Sequence, residues 1–117
     1  ICSALQNKLL PVYGDGMQIR DWIHVDDHCA GIEAVWEKAA ADRFTTWRKL
    51  RKSNLDIILQ ILKELNKPQT LITHVKDRPG HDRRYAIDHT KITQELNWTP
   101  THTFEKGLQE TIAWIVA

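Results

Sequence analysis

Residues 54–66 carry the clearest structural pattern in the chain, an apolar stripe at helical spacing. The stripe consists of Leu55, Ile58, Leu59, Leu62 and Leu65. Ser53 or Asn54 is suited to cap this helix, and Pro68 stops it. Strand-like stretches lie on both sides of this helix, which limits the fold to classes that mix helices with strands.

The two strand-like stretches are residues 19–25 and 71–75. In the first, apolar and polar residues alternate with the period of a strand, and the second has the apolar character of a buried strand. Because strands alternate with helices along the chain, we predict an α/β fold with short strands and about four helices. No glycine-rich phosphate loop follows a strand, so no part of this sequence is typical of a dinucleotide-binding half.

Helical spacing of apolar residues recurs in three other segments, residues 29–38, 90–96 and 104–117. Asp26 or Asp27 can cap the first of these helices. Asn97 stands where the second helix needs a residue in the left-handed conformation. The third begins after Thr103 and carries an apolar stripe to the end of the sequence.

Length and charge exclude several classes of protein. The chain has 117 residues, enough for one small domain, and 16 Lys and Arg against 15 Asp and Glu leave a net charge of +1. That balance argues against a protein whose main role is to neutralise a phosphate backbone. No stretch approaches the length of a membrane span and no signal peptide is present, so we expect a cytoplasmic protein with Cys2 and Cys29 reduced. The sequence starts at Ile1 and its one methionine is Met17, which we interpret as the mark of a fragment.

The densest cluster of polar residues lies at positions 77–85, where a Pro-Gly pair forces a tight turn. Guanidinium groups bind phosphate oxygens in bidentate fashion, so a turn that presents Arg78 beside His81 is suited to hold a diphosphate. A surface turn whose arginines pair with Asp77 and Asp82 fits the same residues. Spacing alone leaves both interpretations open.

A second candidate comprises Tyr13, the glycines that follow it, and Arg20. Glycines let the backbone approach a ligand closely, and a tyrosine ring can stack on a base. A hairpin turn explains the glycines equally well. His24 and His28 straddle a strand-to-helix junction and have no third ligand at suitable spacing, so we expect no metal site.

The motifs, taken in order, resemble the C-terminal third of the dTDP-glucose 4,6-dehydratase family, which belongs to the extended short-chain dehydrogenase/reductase superfamily. The matching runs are LPVYGDG (residues 10–16), IRDWIHVDDH (19–28), NLD (54–56), DRPGHDRRYAID (77–88), LNWTP (96–100) and TFEKG (103–107). The run that starts at Arg78 is specific to this family, whereas YGDG followed by RDW is shared with other nucleotide-sugar epimerases and dehydratases. The resemblance implies that residues 1–117 are a substrate-binding lobe, with the Rossmann domain absent.

The resemblance also implies roles for individual residues. It places Pro11, Val12 and Tyr13 in the nucleotide pocket, Arg20 on a phosphate and Asn54 on the nucleotide. It places Asp77, Arg78, Pro79, Gly80 and His81 around the diphosphate of a dTDP-sugar. The family's catalytic residues and its NAD site belong to the part that is missing here, so we expect this chain to carry no catalytic residue and to bind no NAD and no metal. The resemblance further implies that the full-length protein forms a homodimer.

Residues 42–52 depart from the family, which has a strand entering a glycine turn at this point. The segment here is strongly basic and has no clean periodicity. We interpret it as the product of compensating frameshifts and expect a loop or an irregular helix extension; the nucleotide sequence would test the frameshifts. The segment also leaves open a nucleic-acid-binding module, which the overall charge disfavours. A related nucleotide-sugar epimerase or decarboxylase lobe and a non-catalytic nucleotide-binding module stay open as well.

Overall fold

The computed structural model describes residues 1–38, 50–85 and 88–117. The elements follow one another as α1 (Cys2–Leu5), β1 (Leu10–Tyr13), β2 (Ile19–Trp22), α2 (Val25–Lys38), β3 (Leu50–Ser53), α3 (Asn54–Glu64), a 3₁₀ turn (Gln69–Leu71), β4 (Ile72–Val75), α4 (Thr90–Leu96) and α5 (Phe104–Val116). The predicted mixture of short strands and helices is confirmed. The described part of the chain holds five α-helices, of which the short α1 was not predicted.

The strands form two separate pairs. β1 pairs in parallel with β4, with Tyr13 opposite Val75, and β2 pairs antiparallel with β3. The backbone N–H of Gly14 donates to the carbonyl of Val75 at 2.9 Å, so the β1–β4 contact continues one residue beyond β1. As a result, the chain after β1 and the chain after β4 leave the pair side by side.

Helix α3 confirms the helix predicted over residues 54–66, although it ends at Glu64. The predicted apolar stripe is corrected: of its members only Leu62 is buried, the others are half-buried, and the second buried residue, Ile57, was not part of the stripe. Ser53 caps it: its hydroxyl accepts the N–H of Asp56, and the Asp56 carboxylate accepts the N–H of Ser53, which completes a capping box. The hydroxyl of Ser53 also holds the pKa of Asp56 below its ordinary value. On the inner face, Ile57 and Leu62 are buried.

The hydrophobic core lies between α2 and α4. It consists of Ala34, Ile92, Leu96 and Trp98, with Ile23 and Val35 packed against them. Helix α4 ends at Asn97, whose φ of 54° is the left-handed conformation that the sequence predicted. The outer face of α2 is apolar as well, and Trp36 there is 88% exposed.

Three local predictions are corrected. The strand predicted over residues 19–25 ends at Trp22, because the chain has entered helix α2 by Val25. Asp27 does not cap that helix; it lies buried in the first turn, where its carboxylate accepts hydrogen bonds from Thr101 and His102. Strand β4 begins at Ile72 and its residues are half-buried or exposed, not fully buried.

The basic segment is corrected in part. Residues 50–52 belong to β3 and pair with β2, so this end of the segment is neither a loop nor a helix extension. The remainder, residues 42–49, lies outside the described residues. Within the described part of the chain, no helix is long and apolar enough to cross a membrane.

Candidate functional site

The carboxylate of Asp77 joins two segments of the chain just beyond the β1–β4 pair, its own turn and the segment around Gln18. Its Oδ1 lies 2.6 Å from Nδ1 of His81 and accepts the N–H of Arg78 at 2.9 Å. Its Oδ2 accepts the side-chain amide of Gln18 at 3.0 Å. The hydrogen bond with His81 is the largest of the effects that hold the pKa of Asp77 below its ordinary value. Asp77 is therefore an ionised acceptor at neutral pH, and it fixes the turn that follows it.

Two basic side chains from that turn lie against the ring of Tyr13. The guanidinium carbon of Arg78 is 5.3 Å from the ring centroid, a cation–π distance. The imidazole of His81 meets the same ring edge-on, with centroids 6.4 Å apart and planes at 88°. Tyr13 remains 44% exposed. An accessible aromatic ring and the exposed Arg78 therefore lie together at one surface, and the His81 side chain, which is only 5% exposed, packs against the same ring.

Gly14 allows this close approach. Its φ is +59°, and a Cβ at this position would lie 2.8 Å from Oδ2 of Asp77. No side chain fits in that space unless Asp77 moves. A glycine is needed here both for the backbone conformation and for the contact.

Two further arginines connect neighbouring segments of the same region. The guanidinium of Arg20 donates to the carbonyl of Ile19 at 2.7 Å and to the carbonyl of Asp82 at 2.9 Å. Arg83 donates to both carboxylate oxygens of Asp15, at 2.8 and 2.9 Å. The hydrogen bond from Arg83 lowers the pKa of Asp15 to about 2. The turn after β1 and the turn after β4 are thus held together by charged groups.

The residues predicted for the site fall into two groups. Tyr13, Asp77, Arg78 and His81 form one connected cluster, and Arg20 reaches the same turn through Asp82. The remaining five are Pro11 and the buried Val12 on β1, Asn54 at the start of α3, and Pro79 and Gly80, which are exposed at the tip of the turn. A surface turn whose arginines pair with Asp77 and Asp82 does not describe Arg83, whose carboxylate partner is Asp15.

Gln18 is a residue of the site that the sequence did not indicate. It is 1% exposed, its side-chain amide donates to Asp77, and its backbone carbonyl accepts the N–H of Asn54 at 3.0 Å. It therefore ties the start of α3 to the turn after β4. A single glutamine between a glycine turn and a strand carries no pattern from which this role follows.

Comparison with known proteins gives consistent matches over nearly all of the chain. A family model described as GDP-mannose 4,6 dehydratase matches residues 1–111. The dTDP-glucose 4,6-dehydratase of Shigella flexneri is 43% identical over 125 residues, which cover 100% of this chain and 35% of that protein. The enzyme of the same name from Neisseria meningitidis is 44% identical over 126 residues, covering 97% of this chain and 36% of that protein. The chain spans about 35% of the length of the curated relatives it matches.

Solved structures agree with these matches. A crystal structure of dTDP-glucose 4,6-dehydratase from Bacillus anthracis in complex with NAD is 43% identical, with a TM-score of 0.92, and the match covers 98% of this chain and 37% of that one. UDP-glucuronic acid 4-epimerase from Bacillus cereus, in complex with UDP-glucuronic acid and NAD, is 29% identical with a TM-score of 0.88, over 97% of this chain and 37% of that one. The fold of this piece is thus common to dehydratases and epimerases.

Proposed function

The chain belongs to the GDP-mannose 4,6-dehydratase family, and from that premise we propose that it is the part of a dTDP-glucose 4,6-dehydratase that binds the dTDP end of the substrate. The observation that carries the proposal is the cluster of Tyr13, Arg78 and His81 around Asp77. The dTDP-glucose 4,6-dehydratases among the relatives, at 41 to 44% identity, favour this nucleotide over others.

The chemistry of the cluster suits a nucleoside diphosphate. Arg78 carries a planar guanidinium at an exposed turn, and such a group binds two phosphate oxygens at once. His81 is oriented by Asp77, which accepts from Nδ1; Nε2 is therefore the nitrogen that it can offer to a phosphate, although its side chain is only 5% exposed. The exposed ring of Tyr13 offers a surface on which a base or sugar packs. In this proposal Pro11, Val12 and Asn54 complete the wall on the nucleotide side, and Arg20 contributes a further cation.

The proposal divides the enzyme into two parts: this chain binds the substrate, and a Rossmann domain outside these 117 residues carries the catalytic residues. That domain would hold NAD, and the complete enzyme would oxidise the sugar at C4, eliminate water across C5 and C6, and return the hydride to C6. In this division the chain by itself binds a dTDP-sugar but does not turn it over, and the complete enzyme is a homodimer. Incubation of the purified chain with dTDP-glucose and NAD tests the division: formation of the 4-keto-6-deoxy sugar would overturn it.

Binding is tested by titrating the chain with dTDP and following tryptophan fluorescence. Arg78→Ala should weaken binding about 10- to 100-fold, the range expected when a charge-assisted hydrogen bond is lost. Arg78→Lys should recover part of that loss, because it keeps the charge but not the planar fork. Arg51→Ala is the matched control, since it removes an exposed arginine on β3. Equal affinities of the Arg78→Ala and Arg51→Ala variants for dTDP would refute the proposed binding of the diphosphate by Arg78.

A second candidate is a lobe for a UDP-sugar, as in the epimerase from Bacillus cereus. Titration with UDP-glucuronic acid in parallel with dTDP distinguishes the two, because the nucleotide that this lobe binds in its proposed function should have the lower Kd. A random oligonucleotide tests for a nucleic-acid-binding module, which predicts binding that weakens steeply with salt.

A further inference from the structure

Two histidines that are distant in the sequence meet away from the Asp77 cluster. His24 lies just before α2 and His102 just before α5, and their rings stack with centroids 4.2 Å apart and planes at 26°. Asp26 is adjacent to them. One ligand atom from each of these three residues lies within 4.8 Å of the other two.

The backbone that carries His102 is fastened to the first turn of α2. The buried carboxylate of Asp27 accepts the N–H of Thr101 at 3.0 Å, its hydroxyl at 2.8 Å, and the N–H of His102 at 3.0 Å. These hydrogen bonds hold the loop at residues 101–102 against α2.

Helix α5 closes the other side of His24. A Cβ on Gly107 would lie 3.1 Å from Cδ2 of the His24 ring, so the helix backbone packs directly on the imidazole. The side chain of His24 is only 10% exposed, whereas that of Asp26 is 77% exposed. The histidines are held by the fold, and the aspartate has room to rotate.

Each imidazole also has a carboxylate at both of its nitrogens. Nδ1 and Nε2 of His24 lie 3.8 Å from Asp26 and 4.0 Å from Glu110. Nδ1 and Nε2 of His102 lie 3.1 Å from Asp27 and 3.2 Å from Glu110. Histidines that bind metal ions usually present one nitrogen to the ion and donate the other N–H to a carboxylate. Asp27 is placed to serve as that acceptor for Nδ1 of His102, which leaves Nε2 for an ion. Glu110 lies 4.0 Å from Nε2 of His24, beyond hydrogen-bond distance in this arrangement.

We propose that His24, Asp26 and His102 bind one divalent transition-metal ion, with Zn²⁺ as the ion best matched to two imidazoles and a carboxylate. Tetrahedral zinc with bonds of about 2.0 to 2.2 Å places its ligand atoms roughly 3.3 to 3.5 Å apart. The three atoms must therefore draw in from a spacing of up to 4.8 Å. Rotation of the exposed Asp26 side chain supplies part of that movement. The two imidazoles must also turn out of their stacked arrangement, because an ion lies in the plane of each ring that binds it, and water takes the fourth position.

The sequence favoured no metal site because His24 and His28 lacked a third ligand. The fold supplies the missing ligand from residue 102, through the docking of the loop before α5 onto α2. The bound ion would join the start of α2 to this loop, so its role is structural. It is independent of the proposed dTDP site.

The test is a titration with Zn²⁺ alone, followed by calorimetry, and with Co²⁺ alone, followed by its visible absorption. It is made in a Cys2→Ser/Cys29→Ser background, because both cysteines are exposed and thiols bind these ions. We expect one ion per chain and an absorption spectrum typical of tetrahedral Co²⁺. His24→Ala and His102→Ala should each weaken binding about tenfold or more.

His28→Ala and His74→Ala are the matched controls, since both histidines are exposed and lie outside the cluster. They should leave the affinity unchanged. Asp26→Asn guards against misfolded variants, because this exposed side chain can be changed without altering the buried packing, and it too should weaken binding. Failure of the Cys-free chain to bind Zn²⁺, or equal affinities in the cluster and control variants, would overturn the proposal.

Discussion

Gly14→Ala tests whether Asp77 holds the candidate site together, and Gly80→Ala is its matched control. Both glycines have positive φ, +59° for Gly14 and +68° for Gly80. An added Cβ at Gly80 meets nothing within 4 Å, whereas at Gly14 it lies 2.8 Å from Oδ2 of Asp77 and 3.0 Å from Cγ. The two variants therefore share the backbone strain and differ in the displacement of Asp77.

The expected costs follow from these contacts. Alanine in the left-handed region costs about 1 to 2 kcal/mol, which is the whole effect expected for Gly80→Ala. At Gly14 the Asp77 carboxylate must also move away from the buried amide of Gln18, and an unpaired buried donor costs about 1 to 3 kcal/mol more. Gly14→Ala should therefore destabilise the chain by about 2 to 5 kcal/mol.

Urea denaturation followed by tryptophan fluorescence measures the difference. At an m-value of about 1.5 kcal/mol per molar urea, the midpoint should fall by about 0.7 to 1.3 M in Gly80→Ala and by about 1.3 to 3.3 M in Gly14→Ala. Equal midpoints would show that Asp77 moves at no cost and would refute its role as the anchor.

Three more predictions concern the frame of the fold. Asp27→Asn should flatten the pH dependence of the free energy of unfolding. Because the pKa of Asp27 is lowered in the folded state, its carboxylate stabilises the folded chain fully above the unfolded-state pKa of about 3.9. This contribution is lost as the pH falls through the folded-state pKa. Urea unfolding between about pH 3 and 6 checks this, and an unchanged profile in the variant would contradict it. Ser53→Ala removes the capping box of α3 and should cost about 1 kcal/mol in the same assay. Leu62→Ala, at a fully buried position, should cost about 2 to 5 kcal/mol, whereas Trp114→Ala, at an exposed one, should lie within about 0.5 kcal/mol of the parent chain.

Helices that carry their own start and stop signals were predictable from the sequence. Helix α3 has a capping serine and an apolar stripe, and α4 ends at an asparagine in the left-handed conformation. These signals act within one or two turns of the chain, so they need no tertiary information. The start of α2 was misplaced because Ile23 and Val25 continue the alternation of β2 after the backbone has left the strand.

The contacts that build the candidate site were not predictable in the same way. The motifs at residues 13–16 and 77–81 could be recognised separately, and the family resemblance assigned them to one pocket. That they meet through Asp77 depends on the parallel pairing of β1 with β4, which no local pattern specifies. Likewise, the histidine that joins His24 is distant in the sequence, just before α5, and it reaches His24 because Asp27 binds the loop before α5.

The turn at residues 77–85 is held to the rest of the chain mainly by polar contacts. Ile19 exchanges backbone hydrogen bonds with Arg83 and Tyr85, and Arg20 donates to the carbonyl of Asp82. Most of the turn is exposed, and its contacts with Asp15 and Gln18 are charged or polar. Segments with few buried apolar contacts open at a lower free energy than the core. A diphosphate bound by Arg78 and His81 would therefore stabilise the turn more than the core helices. The addition of dTDP should slow amide hydrogen exchange more at residues 77–85 than in the core helices.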